Sequence, residues 1–194
     1  REGILYWGNG AEPQELDPHI VTGVPEHYIL IALLEGLVQK DAATLQPQPA
    51  VAERWRVSAD GRVYTFTIRA SARWSNGDRL TAHDFVWSWM RALTPKLGNA
   101  YAYMFNPIVN AQAYATGELT DFSAVGVKAL DDLTLQVTLD NPTPYFLQLL
   151  DHYSMFPVHR ATIEKFGSIG EAGTVWTRAG NYVGNGPFAL RQWD

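Results

Sequence analysis

The sequence predicts an α/β chain built around an α+β nucleus, and three observations point to it. Tyr64, Phe66 and Ile68 alternate with Thr65, Thr67 and Arg69, the period of a strand with one buried face. Phe85, Val86, Trp89, Met90 and Leu93 fall on one broad helical face, behind a Thr81–Asp84 capping box and ahead of the helix-stopping Pro95. Leu133, Leu135, Val137 and Leu139 alternate with Thr134, Gln136 and Thr138 after Asp131-Asp132, which closes a hairpin with residues 125–130.

Taken in order, residues 4–9 form a short apolar run that reads as a buried strand. Residues 11–18 hold two prolines and three acids and read as a loop, with Asp17-Pro18 as a turn. The loop runs on to Val24. Pro25 suits the first turn of a helix whose apolar face is Tyr28, Ile29, Ala32, Leu33 and Leu34, ended by Glu35-Gly36. Residues 37–40 read as a brief strand, 44–49 as a proline loop and 50–54 as a short helical turn. Asp60-Gly61 between runs at 55–58 and 63–68 signals a hairpin. Asn76-Gly77 supplies the tight turn before the central helix, because both residues tolerate positive φ.

Residues 99–107 are aromatic and fit neither period, so ligand contact and core filling beneath a loop stand equally. Residues 108–116 read as a helix closed by Gly117, 145–150 as a short apolar helix, and 160–166 as a helix closed by Gly167. Residues 170–185 are loop-rich and 188–193 read as a strand. Gly184-Asn185-Gly186-Pro187 precedes a strand rather than a helix, so it reads as a tight turn and not a phosphate cradle.

With 194 residues there is room for one large domain or two small ones. A net charge of -5 without a basic run argues against nucleic acid or an anionic membrane surface as partner. The absence of Cys excludes disulfides, thiolate metal sites and a Cys nucleophile. No apolar run approaches the roughly 20 residues of a membrane span. His19, His27, His83, His152 and His159 lack ligand spacing, and no nucleotide-binding or nucleophile motif occurs, so neither metal nor cofactor is expected. Glu12, Glu15 and Asp17 are the candidate acids for glycoside chemistry. Trp74, Trp87 and Trp89 are candidates for sugar stacking, although Trp89 falls on the apolar helix face. Arg69 and Arg73 flank Trp74, where a solvated strand end competes with a cationic cleft.

The order Asp60-Gly61, Tyr64-Thr65-Phe66, Arg69, Trp74-Ser75-Asn76-Gly77-Asp78, Thr81-Ala82 and Asp84-Phe85-Val86 resembles the signature region of the solute-binding proteins of peptide ABC transporters, the oligopeptide and dipeptide type of solute-binding family 5. Further pieces follow in register along nearly the whole chain. They are Asn9, Glu12-Pro13, Leu16-Asp17-Pro18, Leu34-Glu35-Gly36-Leu37, residues 49–55, residues 125–135, Pro144-Tyr145-Phe146, Pro157, residues 184–188 and Trp193. Each piece is weak alone; in order they are strong.

The resemblance implies a type II periplasmic-binding-protein-like clamshell, with the ligand between two lobes that close by hinge motion. In that frame the chain is an N-terminal lobe fragment. Residues 1–36 are the first strand, ligand-side loop and helix of lobe I. Residues 37–180 are an inserted α+β subdomain, residues 181–194 start the return into lobe I, and the C-terminal lobe is absent.

The implied role is the extracytoplasmic, non-enzymatic component of an ABC importer. It would be periplasmic, or membrane-associated in a Gram-positive host, and monomeric. It would bind a peptide or other small solute and deliver it to the membrane permease. Nickel complexes, opines and sugars are the ligands of other branches. A peptide held through its main chain needs no side-chain match, and wet pockets adapt to varied side chains. The ligand-facing positions carried over are Val21, Thr22, Gly23, Val24, Tyr103 and Tyr101, with Thr22 where oligopeptide-type relatives often have an acid. One lobe alone is expected to fold partly or wholly yet bind weakly, since it cannot desolvate what it holds.

Overall fold

The computed structural model describes residues 8–193, so residues 4–7 of the predicted first strand lie outside the described residues. Four strands form an antiparallel sheet: β3 (Ala52–Val57), β4 (Val63–Ile68), β5 (Val127–Asp131) and β6 (Thr134–Thr138), in the order β3-β4-β6-β5. The central β4 pairs with both neighbours, with Tyr64 opposite Val137 and Phe66 opposite Leu135 in the register with β6. Tyr64, Phe66 and Ile68 are buried, as are Leu135 and Val137, so the two alternating runs supply one apolar face. A small ribbon of β1 (Val38–Lys40) and β2 (Pro47–Pro49) stands beside this sheet.

Among the described residues there are five α-helices: α1 (Val24–Leu33), α2 (Ala82–Leu93), α3 (Ala111–Ala115), α4 (Phe146–Leu149) and α5 (Arg160–Phe166). The α2 start follows its sequence signal, because the Asp84 carboxylate accepts from both the backbone N–H (2.7 Å) and the hydroxyl (2.9 Å) of Thr81. Gly77 has φ +94° in the preceding turn. The predicted face of α2 packs on β5 and β6. Its opposite side is buried too, since Trp87, Ser88 and Arg91 are covered by α5 and the short turns around Tyr153–Met155 and Val175–Thr177. Ser88 bridges this second interface: its Oγ accepts from the Val158 N–H at 2.9 Å and donates to the Val158 carbonyl at 3.3 Å.

Several expectations are corrected. Residues 52–54 belong to β3 and not to a helical turn, because Ala52 pairs with Ile68 across a bulge and the sheet edge outweighs a short local preference. The proline loop at 44–49 includes β2, a two-proline strand tolerated because it lies at an edge where missing N–H groups cost no ladder bond. In α1 the buried residues include Leu30 and Leu33, while Tyr28 is 44% exposed. The run is apolar almost all round, so its period singles out no face. Residues 188–193 form no strand. The N–H groups of Gly186 and Phe188 bond instead to the carbonyls of Leu33 and Ala32 at the end of α1.

That contact also explains the glycines at 184 and 186. Built onto Gly184, a Cβ would lie 2.1 Å from the Leu33 carbonyl oxygen. On Gly186 it would lie 2.6 Å from backbone atoms of Leu33 and Leu34. Close backbone approach, rather than a tight turn, requires glycine there.

The loop before α1 is tied to α2 by a buried ion pair. Arg91 donates from Nη1 and Nη2 to the two oxygens of Asp17, at 2.9 and 2.5 Å, and both side chains are buried. Arg91 Nη1 also lies 3.0 Å from His19 Nδ1, and His19 Nε2 lies 3.1 Å from the Phe156 carbonyl. Arginine only donates and a carbonyl only accepts, so His19 is the neutral tautomer with its proton on Nε2. Trp176 lies against the guanidinium, 5.8 Å from ring centroid to Cζ. Burial alone would raise the Asp17 carboxyl, but Arg91 and the His19 N–H together hold it below its usual range. Burial, then Arg91, brings His19 down to about 4.

Three outcomes follow from these contacts. Arg91→Met strands the Asp17 carboxylate and is expected to cost about 3–5 kcal/mol, read as a lowered urea midpoint, whereas the joint Asp17→Leu/Arg91→Met change costs less than Arg91→Met alone. Depressed folded-state values give stability that is full above the unfolded value and lost on acidification. His19 therefore erodes stability between pH 6.5 and about 4, and Asp17 erodes it further below 3.8. A thermal-melt series across that range should show the first loss, and His19→Gln should flatten it. Gly186→Ala forces backbone apart and should destabilise by about 1–3 kcal/mol on urea unfolding, while Gly77→Ala, whose Cβ meets open space, pays only for its positive φ.

Candidate functional site

Residues 21–23 belong to no helix or strand and lead into α1, where the N-cap Gly23 is extended at φ -88° and ψ 152°. Their path is set from behind. The Asp17 carbonyl accepts from the N–H groups of Ile20 and Val21, at 3.1 and 3.2 Å, while the Asp17 side chain is held by Arg91. Val21 is buried, Thr22 is exposed, and Val24 is 63% exposed. The N–H groups of Thr22 and Gly23 bond to no described residue.

Two tyrosine hydroxyls dock on the carbonyls of the same segment. Tyr153 donates to the Val21 carbonyl at 3.1 Å and Tyr101 to the Thr22 carbonyl at 3.3 Å. Both tyrosines are positioned by α2. Asn99 donates to the Ala92 carbonyl at the end of α2 and accepts the Tyr101 N–H, and Trp89 Nε1 donates to the Met155 carbonyl in the turn that carries Tyr153. Tyr101 then packs edge-on against His152 (4.6 Å) and Tyr153 (5.9 Å) and lies 6.2 Å from Tyr103, whose ring is 61% exposed. His27 approaches Tyr153 from α1 at 5.7 Å.

The aromatic cluster is uncharged at neutral pH. Burial, then the neighbouring His27, brings His152 down to about 4. Burial also lowers His27. Burial and the Tyr101 hydroxyl raise the Tyr153 phenol far above its usual range. The Lys40–Asp151 pair, 3.3 Å apart, carries compensating charge beside it.

On the other side of the segment, a cavity of about 470 Å³ opens between residues 20–26 and residues 11–15. Glu26 closes over the start of its own helix. Its carboxylate accepts the Gln14 N–H at 2.9 Å and lies where a Cβ on Gly23 would fall, 1.8 Å from Oε2. Gly23 is therefore small because a carboxylate covers it.

The structure thus brings Val21, Thr22, Gly23 and Val24 together with Tyr101, and Tyr103 joins them through Tyr101. It adds Tyr153, His152 and His27, which sequence reasoning missed. The His152-Tyr153 dipeptide sits in an irregular stretch with no period, and its aromatic content was the one available signal. Other candidates disperse. Asp17 is buried against Arg91, which removes it from the candidate acids, and Glu15 accepts the N–H of its neighbour Leu16. Trp74, Trp87 and Trp89 are buried, which assigns them to the core and removes the sugar-stacking surface. Arg69 pairs with Glu35 at 2.5 Å, and Arg73 donates to the Ala70 and Ala72 carbonyls, so no cationic cleft forms around Trp74. Among the described residues no group of three His, Cys, Asp or Glu is placed to hold a metal ion, and no helix is long and apolar enough to cross a membrane.

Comparison with known proteins bears directly on this geometry. The model of the family described as bacterial extracellular solute-binding proteins, family 5 Middle, matches residues 46–194. The periplasmic oligopeptide-binding protein OppA of Salmonella typhimurium is 43% identical over 97% of this chain and 34% of its own length. The dipeptide-binding protein DppE of Bacillus subtilis is 39% identical over 99% and 34%. The structure of the Escherichia coli murein tripeptide binding protein MppA superposes with a TM-score of 0.86 at 38% identity, over 94% of this chain and 34% of that one. Haemophilus influenzae OppA in complex with RPPGFSPFR gives 0.81 at 41% identity, over 92% and 34%. The α+β architecture is that of part of a periplasmic binding protein, and the chain spans about a third of the length of these relatives. The chain belongs to the family 5 bacterial extracellular solute-binding proteins.

Proposed function

We propose that this chain is the N-terminal part of the extracytoplasmic solute-binding component of an ABC importer. The whole protein binds peptides between this lobe and a second one and delivers them to a membrane permease, as a monomer and without chemical change. The observation that carries the reading is the segment Val21–Gly23, which enters α1 through an extended Gly23. It offers two main-chain N–H groups that bond to no described residue, beside an uncharged aromatic wall. An extended peptide recognises such an edge through its backbone, and broad side-chain tolerance follows. Val21, Thr22, Gly23 and Val24 line one side of the peptide, and Tyr101 and Tyr103 the other. In this scheme residues 1–36 belong to lobe I, residues 37–180 to an inserted subdomain and residues 181–194 to the return.

A non-peptide solute is the second reading, since the probable deoxycholate-binding periplasmic protein YgiS of Escherichia coli is 39% identical over 98% of the chain. Native mass spectrometry of the full-length protein, purified without added ligand, separates the two. Peptides of mixed sequence are expected; a single non-peptide species would overturn the peptide reading and keep the family. In the same protein Tyr103→Ala should weaken binding of the co-purified peptides about tenfold with an unchanged melting temperature, because the ring is exposed in this lobe.

A further inference from the structure

Beyond Tyr103 the surface continues into a groove of about 580 Å³. Tyr103 and Tyr145 stand on it, 61% and 59% exposed, and Met104, Pro107, Pro142 and Leu149 supply apolar lining. Volume and composition match a ligand site, apolar with a few polar groups. Three of those polar groups, the side chains of Asn106, Asp140 and Asn141, are exposed and hydrogen-bond to no described residue.

The groove is also built rather than incidental. The segments on which it rests are joined by backbone bonds: Asp140 N–H to the Pro107 carbonyl at 2.9 Å, Val109 N–H to the Thr138 carbonyl at 3.0 Å, and a bridge between Ile108 and Leu139. Thr143 is held by its hydroxyl to the Asn141 carbonyl, and its own carbonyl accepts from the buried Tyr64 of β4. The fold therefore holds both walls in place before anything binds, which lowers the ordering cost of a ligand.

We propose that this groove is an extension subsite for peptide. A chain that passes Tyr103 continues between Tyr103 and Tyr145, with its main-chain groups on Asn106, Asp140 and Asn141 and its apolar side chains against Met104 and Pro142. The inference rests on the peptide-binding reading above and adds to it a preference for longer ligands. Tyr103 links the two regions: it lies 6.2 Å from Tyr101 at the first site and lines the groove at the second. These exposed amides and the carboxylate supply both donors and acceptors, which an extended main chain uses alternately. The exposed phenol rings give apolar side chains a flat contact surface at low ordering cost.

The test is calorimetric titration of the full-length protein with trialanine and with the nonapeptide RPPGFSPFR, for wild type, Tyr145→Ala and Asn141→Ala. Both side chains are exposed, so melting temperatures should not move. Tyr145→Ala should weaken the nonapeptide about tenfold and leave trialanine within about twofold; Asn141→Ala should show a smaller loss with the same length dependence. Equal loss for both peptides, no loss for either, or wild-type binding of trialanine alone would overturn the subsite and leave the peptide reading standing. Failure of wild type to bind either peptide would remove both.

Discussion

The buried Asp17–Arg91 pair is the contact on which the site depends. It joins a loop with no regular structure to the last turn of the central helix. Burying two charges is expensive, and a single attraction between them rarely covers the cost. Here the geometry is bidentate, His19 accepts a further donor of the same guanidinium, and Trp176 offers it a ring face. Arg91 Nε has no partner among the described residues, so within them the network is nearly but not completely satisfied. The gain is positional. With its carboxylate fixed, the Asp17 carbonyl turns the chain at Ile20 and Val21, and residues 21–23 leave that turn for α1, with the N–H groups of Thr22 and Gly23 bonded to no described residue.

Helix α2 extends that control to the opposite wall. Its C-terminal Ala92 carbonyl holds Asn99, and Asn99 sets the Tyr101 backbone. Trp89 holds the turn that presents Tyr153. The loop and both tyrosines are thus referred to one rigid element, which in turn is seated on the sheet by the apolar face that includes Phe85, Trp89 and Leu93. Tyr101 and Tyr153 then bond back to the loop and close the circuit. Each hydrogen bond is worth about 1 kcal/mol at most in net terms, but together they fix relative positions to within a side chain's freedom.

Local signals were legible in the sequence and distant partnerships were not. The alternation of β4 and β6, the capping box of α2 and the glycine ends of α3 and α5 depend on neighbours within a few residues, and each appears where its residues predict. Residues 52–54 read as helix because nothing nearby announces Ile68 as their partner. The glycines at 184 and 186 read as a turn because the reason for them, the backbone of Leu33 and Leu34, lies about 150 residues away in the chain. Arg91 carries a charge in the last turn of an amphipathic helix, where a surface side chain is the ordinary outcome; only Asp17, separated by 74 residues, makes its burial possible. The site divides the same way. Thr22 and Tyr103 were proposed through motif order, whereas Tyr153 and His152 join their neighbourhood through packing that no local period encodes.

The electrostatics of the aromatic wall limit how this lobe can discriminate among ligands. His152 and His27 are held neutral by burial, Tyr153 is held protonated, and Thr22 is uncharged. On the proposed reading, what faces a peptide here is main-chain donors and ring surface. Such groups recognise an extended backbone and a shape, and they place no charge requirement on the side chains passing between them. Charge selection on that reading comes from groups outside the aromatic wall, such as the Lys40–Asp151 pair beside it and the carboxylates around the cavity at residues 11–26. On that reading the wall suits ligands of varied sequence, and its histidines stay neutral across the pH range above their depressed values.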